Sequence, residues 1–245
     1  MTQFGADTIV AGLFPLYGTR SDNASSLWAF IFEDDGPDGY QRTTNSPSLH
    51  STANGIREGY NVVISAQTGR IDITLTAAIS DDADVSSDVP RIGDVEAACA
   101  FSEHLLSKLV QKIHPARLAH LCELARSVGE GEEDEVSRQI LKSIRLPNDA
   151  GDLSFRINRR RHFETVPDLE MNRILQLSSG RAGFAKMQPT EIDPRQFTMI
   201  PFVGLKIDVN TAPEYRVPEG RANDTVNEVF EEAAILRAEK FERLL

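Results

Sequence analysis

Alternation of hydrophobic and polar residues predicts a β-hairpin as the most distinct element of the chain. Two β-prone runs, Tyr60–Ala66 and Arg70–Ala77, flank the turn-forming sequence Gln67-Thr68-Gly69. Apolar and polar side chains alternate in the second run, which places them on opposite faces of the strand. The apolar positions are Ile71, Ile73 and Leu75, and the polar ones are Arg70, Asp72, Thr74 and Thr76. We therefore expect one face of this strand to be buried.

The segments before the hairpin have weaker patterns. Thr8–Phe14 has the composition of a strand that ends at Pro15. The continuous apolar run Leu27–Phe32 fits either a buried strand or the inner part of a short helix, and its aromatic content favours a strand. Asp34–Gly59 is rich in Gly, Pro, Ser, Thr and Asn, which predicts a long polar loop.

Helical periodicity appears after an acidic, serine-rich linker at Ser80–Pro90. Asp94 can cap a helix that runs through Ile113. Residues 116–128 are ambiguous, since their apolar stripe fits a helix while an edge strand is an alternative. A short amphipathic helix is predicted for Glu132–Ile144. A last helix is predicted to start at Asn223 or Asp224 and to run to the carboxyl end.

Strand patterns return between the last two helices, in the sequences LSFRIN, MNRILQL and FTMIPFVGLKIDVN. Strands and helices therefore occur in clusters, which indicates an α+β fold with an antiparallel sheet packed against several helices. We expect a strand-rich part with a long polar loop at residues 1–90 and a helix–sheet–helix part at 91–245. Both parts can belong to one compact domain. The chain shows no internal repeat with a period of 20 to 50 residues.

Composition and charge narrow the class of protein. Hydrophobic residues make up 40% and charged residues 26% of the 245 residues, as in ordinary globular proteins. The net charge of −11 argues against coating of nucleic acid or of an anionic membrane by bulk attraction. The amino-terminal apolar run is short and interrupted by Gly12 and Pro15, so we expect no signal peptide and no membrane span. Cys99 and Cys122 form no disulfide framework, which favours a cytoplasmic protein.

The sequence contains no motif for nucleotide binding, for metalloprotease or serine-hydrolase chemistry, or for paired-cysteine metal sites. Its five histidines have no spacing that indicates a shared metal ion. Asp72, Asp208 and Glu58 are the acids that a metal-dependent hydrolase would use, but they lack a supporting motif. We therefore predict no catalytic residue, no metal site and no cofactor.

An arginine cluster in the sequence FRINRRRHFE is the most unusual local feature. Residues 145–195 contain nine basic and seven acidic residues, whereas the segments on either side are acidic. Such arginines can pair with carboxylates of the chain itself, with an acidic partner protein, or with nucleic-acid or nucleotide phosphates. The candidate binding residues are Arg156, Arg159, Arg160, Arg161, His162 and Arg173.

The carboxyl-terminal part resembles a sporadically distributed family of uncharacterised bacterial proteins of about this length. The resemblance rests on an Ile-Asn-Arg strand, a second Asn-Arg-Ile strand, a strand that ends in Asp-x-Asn, and a Val-Asn-x-Val-Phe-Glu helix core. The matching residues are Ile157, Asn158, Arg159, Asn172, Arg173, Ile174, Asp208, Asn210, Val226, Asn227, Val229, Phe230 and Glu231. Arg160 and Arg161 are additions to the family pattern, and the Trp expected after Leu175 is absent. The resemblance implies a fold and carries no activity.

Three functions fit these observations. The first is a non-catalytic interaction or assembly subunit of a bacterial multi-protein system, with a protein partner or self-association. The second is a nucleic-acid or nucleotide phosphate binder that uses the arginine cluster. The third is an uncharacterised metal-dependent hydrolase.

Overall fold

The computed structural model describes residues 4–16, 23–33, 35–43, 50–78, 89–132, 154–184 and 198–239. The described residues form nine strands and three helices. The strands are β1 (Gly5–Pro15), β2 (Gly39–Thr43), β3 (His50–Arg57), β4 (Tyr60–Gln67), β5 (Arg70–Ala77), β6 (Pro115–Ser127), β7 (Ser154–His162), β8 (Glu170–Phe184) and β9 (Thr198–Thr211). The helices are α1 (Ala24–Ile31), α2 (Val95–Lys112) and α3 (Ala222–Ala238).

All nine strands belong to one antiparallel sheet with the order β2-β3-β4-β5-β1-β6-β9-β8-β7. The expected α+β class with several helices is therefore wrong, because one sheet dominates the described chain and only three described helices pack on it. The sheet is continuous across residue 90, since β1 and β5 from the first part join β6 and β9 from the second through the β1–β6 pair.

A unit of four strands and a following helix occurs twice, whereas β2 and α1 of the first half have no counterpart among the described residues of the second. In the first half, β1 pairs with β5, the meander β5-β4-β3 continues outward, and α2 follows and packs on β1 and β5. In the second half, β6 pairs with β9, the meander β9-β8-β7 continues outward, and α3 follows and packs on β6 and β9. The antiparallel β1–β6 pair joins the halves, with Val10 opposite Leu121. The repeat unit is about half the chain, which is far longer than a sequence period of 20 to 50 residues.

Leu27–Phe32 was expected to be a strand, but most of it lies in helix α1. The Asn23 side chain caps this helix by accepting a hydrogen bond from the Ser26 amide at 2.9 Å. Leu27, Trp28 and Ile31 then face the core at helical spacing and are buried. The lack of a side chain at Gly55 on β3 leaves room for the Trp28 ring, because a Cβ at Gly55 would lie only 3.1 Å from Trp28 Cη2.

The long loop expected at Asp34–Gly59 contains strands β2 and β3 instead. The β4–β5 hairpin is confirmed, and its turn residue Gly69 has a φ of +78°, which a glycine adopts without strain. Helix α2 is also confirmed, with the Asp94 side chain accepting from the Ala97 amide at 3.0 Å. The helix predicted for residues 132–144 lies almost wholly outside the described residues, as does most of the Ser80–Pro90 linker.

Residues 116–127 lie in β6, which is a central strand and not an edge strand. Its two neighbours are β1 and β9. The strands predicted from LSFRIN, MNRILQL and FTMIPFVGLKIDVN are confirmed as parts of β7, β8 and β9. Helix α3 starts after Arg221 and has no side-chain cap, so neither Asn223 nor Asp224 has the capping role expected for it.

Candidate binding face of the sheet

The sheet is covered by helices on one face, while its other face bears no helix among the described residues. The hydrophobic core takes only one of the two alternating sets of strand residues, for example Ile9, Ile73 and Cys122. The opposite set, for example Val10 and Thr74, is partly exposed. We call the surface formed by this second set the open face. On the six strands nearest the arginine cluster its residues include Arg70, Asp72, Thr74, Thr8, Val10, Gly12, Phe14, Arg117, Ala119, Leu121, Glu123, Lys206, Asp208, Asn210, Asn172, Ile174, Gln176, Arg156, Asn158, Arg160 and His162.

A ladder of amide side chains crosses the open face from β7 to β9. Asn158 Nδ2 donates to Asn172 Oδ1 at 3.1 Å, and Arg160 Nε donates to the same oxygen at 3.0 Å. Asn172 Nδ2 donates to Asn210 Oδ1 at 3.0 Å, and Asn210 Nδ2 donates to Asp208 at 2.7 Å. The ladder is ordered because Asn172 and Asn210 are only 6% and 9% exposed and satisfy each other's polar atoms. Three of the four asparagines of the family resemblance, Asn158, Asn172 and Asn210, are therefore structural neighbours.

The arginine cluster does not form one patch, because strand alternation divides it between the two faces of β7. Arg156, Arg160 and His162 lie on the open face, whereas Arg159 and Arg161 lie on the helix side. The clustered basic charges of the sequence therefore point in opposite directions. A single ligand cannot contact all of them from one side of the sheet.

The members of the cluster also differ in their ion pairs. Arg160 lies 3.0 Å from Glu214 and 3.7 Å from Glu170, and His162 lies 3.6 Å from Glu170. Arg156 and Arg159 are exposed and have no ion pair with any described residue. The reading of the cluster as internally paired thus fits one group of its residues, and Arg156 and Arg159 form a second, unpaired group.

On the helix side, Arg161 and Arg173 converge on a buried carboxylate of α3. Glu232 is 1% exposed, and its oxygens lie 2.6 Å from Arg173 Nε and 2.9 Å from Arg161 Nη1. These contacts are close but not well aligned, so we treat them as ion pairs and not as directed hydrogen bonds. Arg173, a candidate binding residue, is therefore engaged inside the protein.

Glu228, one helical turn before Glu232, fixes the loop between β7 and β8. It accepts hydrogen bonds from the Glu164 amide at 2.5 Å, the Thr165 amide at 3.0 Å and the Thr165 hydroxyl at 2.7 Å. Burial by itself would raise the pKa of Glu228, but these hydrogen bonds and that from Arg161 outweigh burial, and the pKa is lowered. The sequence contains one signal for Glu228 and Glu232: both lie beside the inner apolar residues of α3, where buried acids are uncommon unless they are paired.

Cys99 and Cys122 meet His120 in a second buried cluster between α2 and β6. Cys99 Sγ lies 3.9 Å from His120 Nε2, and the His120 ring packs on Phe230 with centroids 4.1 Å apart. A hydrogen bond with Cys122 lowers the pKa of Cys99, and His120 lowers it further, although burial opposes both. The same hydrogen bond and burial raise the pKa of Cys122. Cys99 is 3% exposed and Cys122 is fully buried, so neither thiol reaches a substrate from solvent.

The acids considered for a hydrolase are not brought together. Asp72 on β5 pairs with Arg70 at 2.7 Å, and Asp208 on β9 accepts from Asn210. Strands β1 and β6 lie between them, so they are separated by three inter-strand spacings, about 14 Å. Glu58 lies in the turn before β4 with a φ of 50°. No group of three or more potential metal ligands occurs among the described residues.

Comparison with known proteins gives no family for this chain. No protein-family model, no curated protein and no solved structure matches it. In the described part of the chain, no helix combines the length and the apolar character needed to cross a membrane.

Proposed function

We propose that this protein is a non-catalytic binding subunit that holds a protein partner with acidic side chains against the open face of its sheet. The observation that carries the proposal is Arg156, an exposed arginine without an ion pair in the described chain, on a face that no described helix covers. The cytoplasm is the proposed location, because both cysteines are buried free thiols, as a reducing compartment favours. Membership of the bacterial family that the sequence resembles stays a prediction.

The chemistry of the open face supports binding in preference to catalysis. Its buried polar side chains are satisfied by one another through the asparagine ladder. Three members of the ladder, Asn158, Asn172 and Asn210, are amides, which do not act as general acids or bases. A fixed array of amide, charged and apolar side chains is instead suited to a preorganised contact surface.

A protein partner fits the charge distribution better than nucleic acid does. Phosphate backbones are bound by several cations that face the same groove. Here Arg159 and Arg161 face away from Arg156, and Arg160 is neutralised by Glu214 and Glu170. The overall charge of −11 opposes a polyanion further, whereas a local acidic contact needs few cations.

Site-specific photocrosslinking in the native host tests this proposal. A photoreactive residue at Gln176, beside Arg156 on the open face, should give one discrete adduct with a second protein in stoichiometric amount. The same residue at Ile235, which is 46% exposed on α3, should give none. Arg156→Glu should abolish the adduct, because it places an acid opposite the acidic groups of the partner.

Arg159→Glu is the matched control, since Arg159 is exposed and unpaired on the same strand but faces the other side. It should leave the adduct unchanged. An adduct that is removed by nuclease would replace the proposal with nucleic-acid binding, and an adduct with twice the mass of the chain would replace it with self-association. A monomer without any adduct at Gln176 would overturn it.

A further inference from the structure

A cavity of about 560 Å³ opens at the end of the open face where β1 leaves the sheet and β6 begins. It is bounded by the end of β1, the β4–β5 turn, the start of β6 and the segment after β9. Its lining residues include Phe14, Pro15, Arg117, Pro213, Tyr215 and Arg216. This volume is in the range of small-molecule sites in proteins.

Arg117 supplies a partly buried positive charge to this cavity. Its guanidinium lies over the Phe14 ring, 4.8 Å from the centroid, and its Nε donates to the Thr211 carbonyl at 3.3 Å. Burial lowers the pKa of Arg117, repulsion from Arg70 adds to this, and Glu214 and Asp208 only partly compensate. No carboxylate of the described chain lies within ion-pair distance of it. A partly buried cation without an ion pair is less favourable than one in water, so an anion at this place would stabilise it.

Arg216 provides a second cation on the wall of the cavity. It is exposed and has no ion pair among the residues that the structure describes. Arg70 also lies over Phe14, at 5.3 Å, but Asp72 neutralises it at 2.7 Å. Arg117 and Arg216 are therefore the two cations at the cavity that form no ion pair with a described residue, and guanidinium groups match the geometry of phosphate and carboxylate oxygens.

Apart from Thr68, the rest of the lining is mainly apolar, which indicates how the body of a ligand would lie. The rings of Pro15 and Pro213 and the aromatic ring of Tyr215 line the wall. Burial raises the pKa of Tyr215, and the nearby Glu170 carboxylate adds to this.

We propose that this cavity binds a small organic oxyanion, with its phosphate or carboxylate between Arg117 and Arg216 and its apolar body against Pro15, Pro213 and Tyr215. This site is separate from the contact proposed for Arg156. It adds a small-molecule ligand to a protein that is otherwise proposed to bind another protein.

Calorimetric titration of the full chain with four probes tests the proposal. The probes are inorganic phosphate, adenosine monophosphate, adenosine and benzoate. Binding of adenosine monophosphate and inorganic phosphate without adenosine would identify phosphate as the recognised group, and binding of benzoate alone would identify a carboxylate. Arg117→Gln should weaken binding of the probe that binds by about 30-fold, since a desolvated charge contact is lost. Arg216→Gln should weaken it by about fivefold, as expected for an exposed charge.

Arg156→Gln is the control, because it removes the same charge from the open face outside the cavity. It should leave the affinity within twofold. Equal weakening by Arg156→Gln would show that general surface charge attracts the probe and would overturn the site. Absence of binding by every anionic probe at millimolar concentration would also overturn it. Arg216 is exposed, so its substitution keeps the test valid if Arg117→Gln fails to fold. Loss of the Arg156-dependent crosslink leaves this result unaffected, and the two proposals can therefore fail separately.

Discussion

Replacing Glu232 with glutamine should destabilise the protein more than the same substitution at an exposed position of α3. Glu232 is 1% exposed and lies between Arg173 Nε at 2.6 Å and Arg161 Nη1 at 2.9 Å. Glutamine keeps the volume but removes the negative charge. Arg161 keeps Glu164 and Glu228 as partners, whereas the Arg173 side chain, 14% exposed, loses its only ion pair among the described residues.

The magnitude follows from this uncompensated charge. Removing one partner of a buried ion pair costs about 3 to 5 kcal/mol of unfolding free energy. For a chain of this size the same loss corresponds to a decrease in melting temperature of about 10 °C. Urea unfolding of Glu232→Gln, followed by circular dichroism, should therefore show a lower midpoint with an unchanged m-value.

Two further variants separate the charge effect from a general effect on α3. Glu231→Gln makes the same substitution at the neighbouring exposed position, and it should change stability by less than about 0.5 kcal/mol. Glu232→Leu combined with Arg173→Met removes both charges, and it should recover most of the loss because no unpaired ion remains buried. A cost below about 1 kcal/mol for Glu232→Gln would refute the reasoning.

Three other expectations concern stability and reactivity. Because the pKa of Glu228 is lowered, its contribution to stability is complete above the ordinary pKa of 4.5 and is lost as the pH falls through the folded pKa. In urea unfolding below pH 4.5, Glu228→Gln should therefore lose less unfolding free energy than wild type does. Asn23→Ala should cost about 1 kcal/mol through loss of the α1 cap, while Asn223→Ala should have no measurable effect on urea unfolding, since α3 has no side-chain cap. Cys99 and Cys122 should react with a thiol reagent only after denaturant is added, and rapid reaction of the native protein would contradict their burial.

Secondary structure could be predicted from the sequence where turn residues, helix caps and the spacing of apolar residues all indicate the same element. The β4–β5 hairpin has its glycine in the turn and alternation in β5, and α2 has both a cap and an apolar stripe. Leu27–Phe32 was assigned wrongly because a buried helix and a buried strand are both continuously apolar over so short a run. The Asn23 cap that decides between them lies outside the run. Strands β2 and β3 were missed because β2 is largely exposed and β3 has few apolar residues.

The candidate site was only partly accessible from the sequence. Charge counting located the arginines on β7, but it could not show that alternate residues face opposite sides or that Glu232 and Glu214 lie near them. Those carboxylates come from segments that follow the cluster by dozens of residues. The cavity was missed because its lining comes from four separate parts of the chain. The repeated unit does not appear as a sequence period, because the two halves share the order of four strands and a helix but not the side chains of these elements.

The central place of β1 determines when the growing chain is most exposed to aggregation. Ile9 pairs with Leu75 on one side and with Cys122 on the other, so both neighbours are synthesised long after β1 itself. Once β5 has emerged from the ribosome, the first half can form a five-stranded sheet with β1 at its margin. That margin contains a single charged residue, Asp7, whereas the finished sheet ends at an arginine-rich strand. Until β6 has been synthesised, the nascent protein therefore exposes an unpaired strand edge with few charged residues, to which a strand of another chain can add.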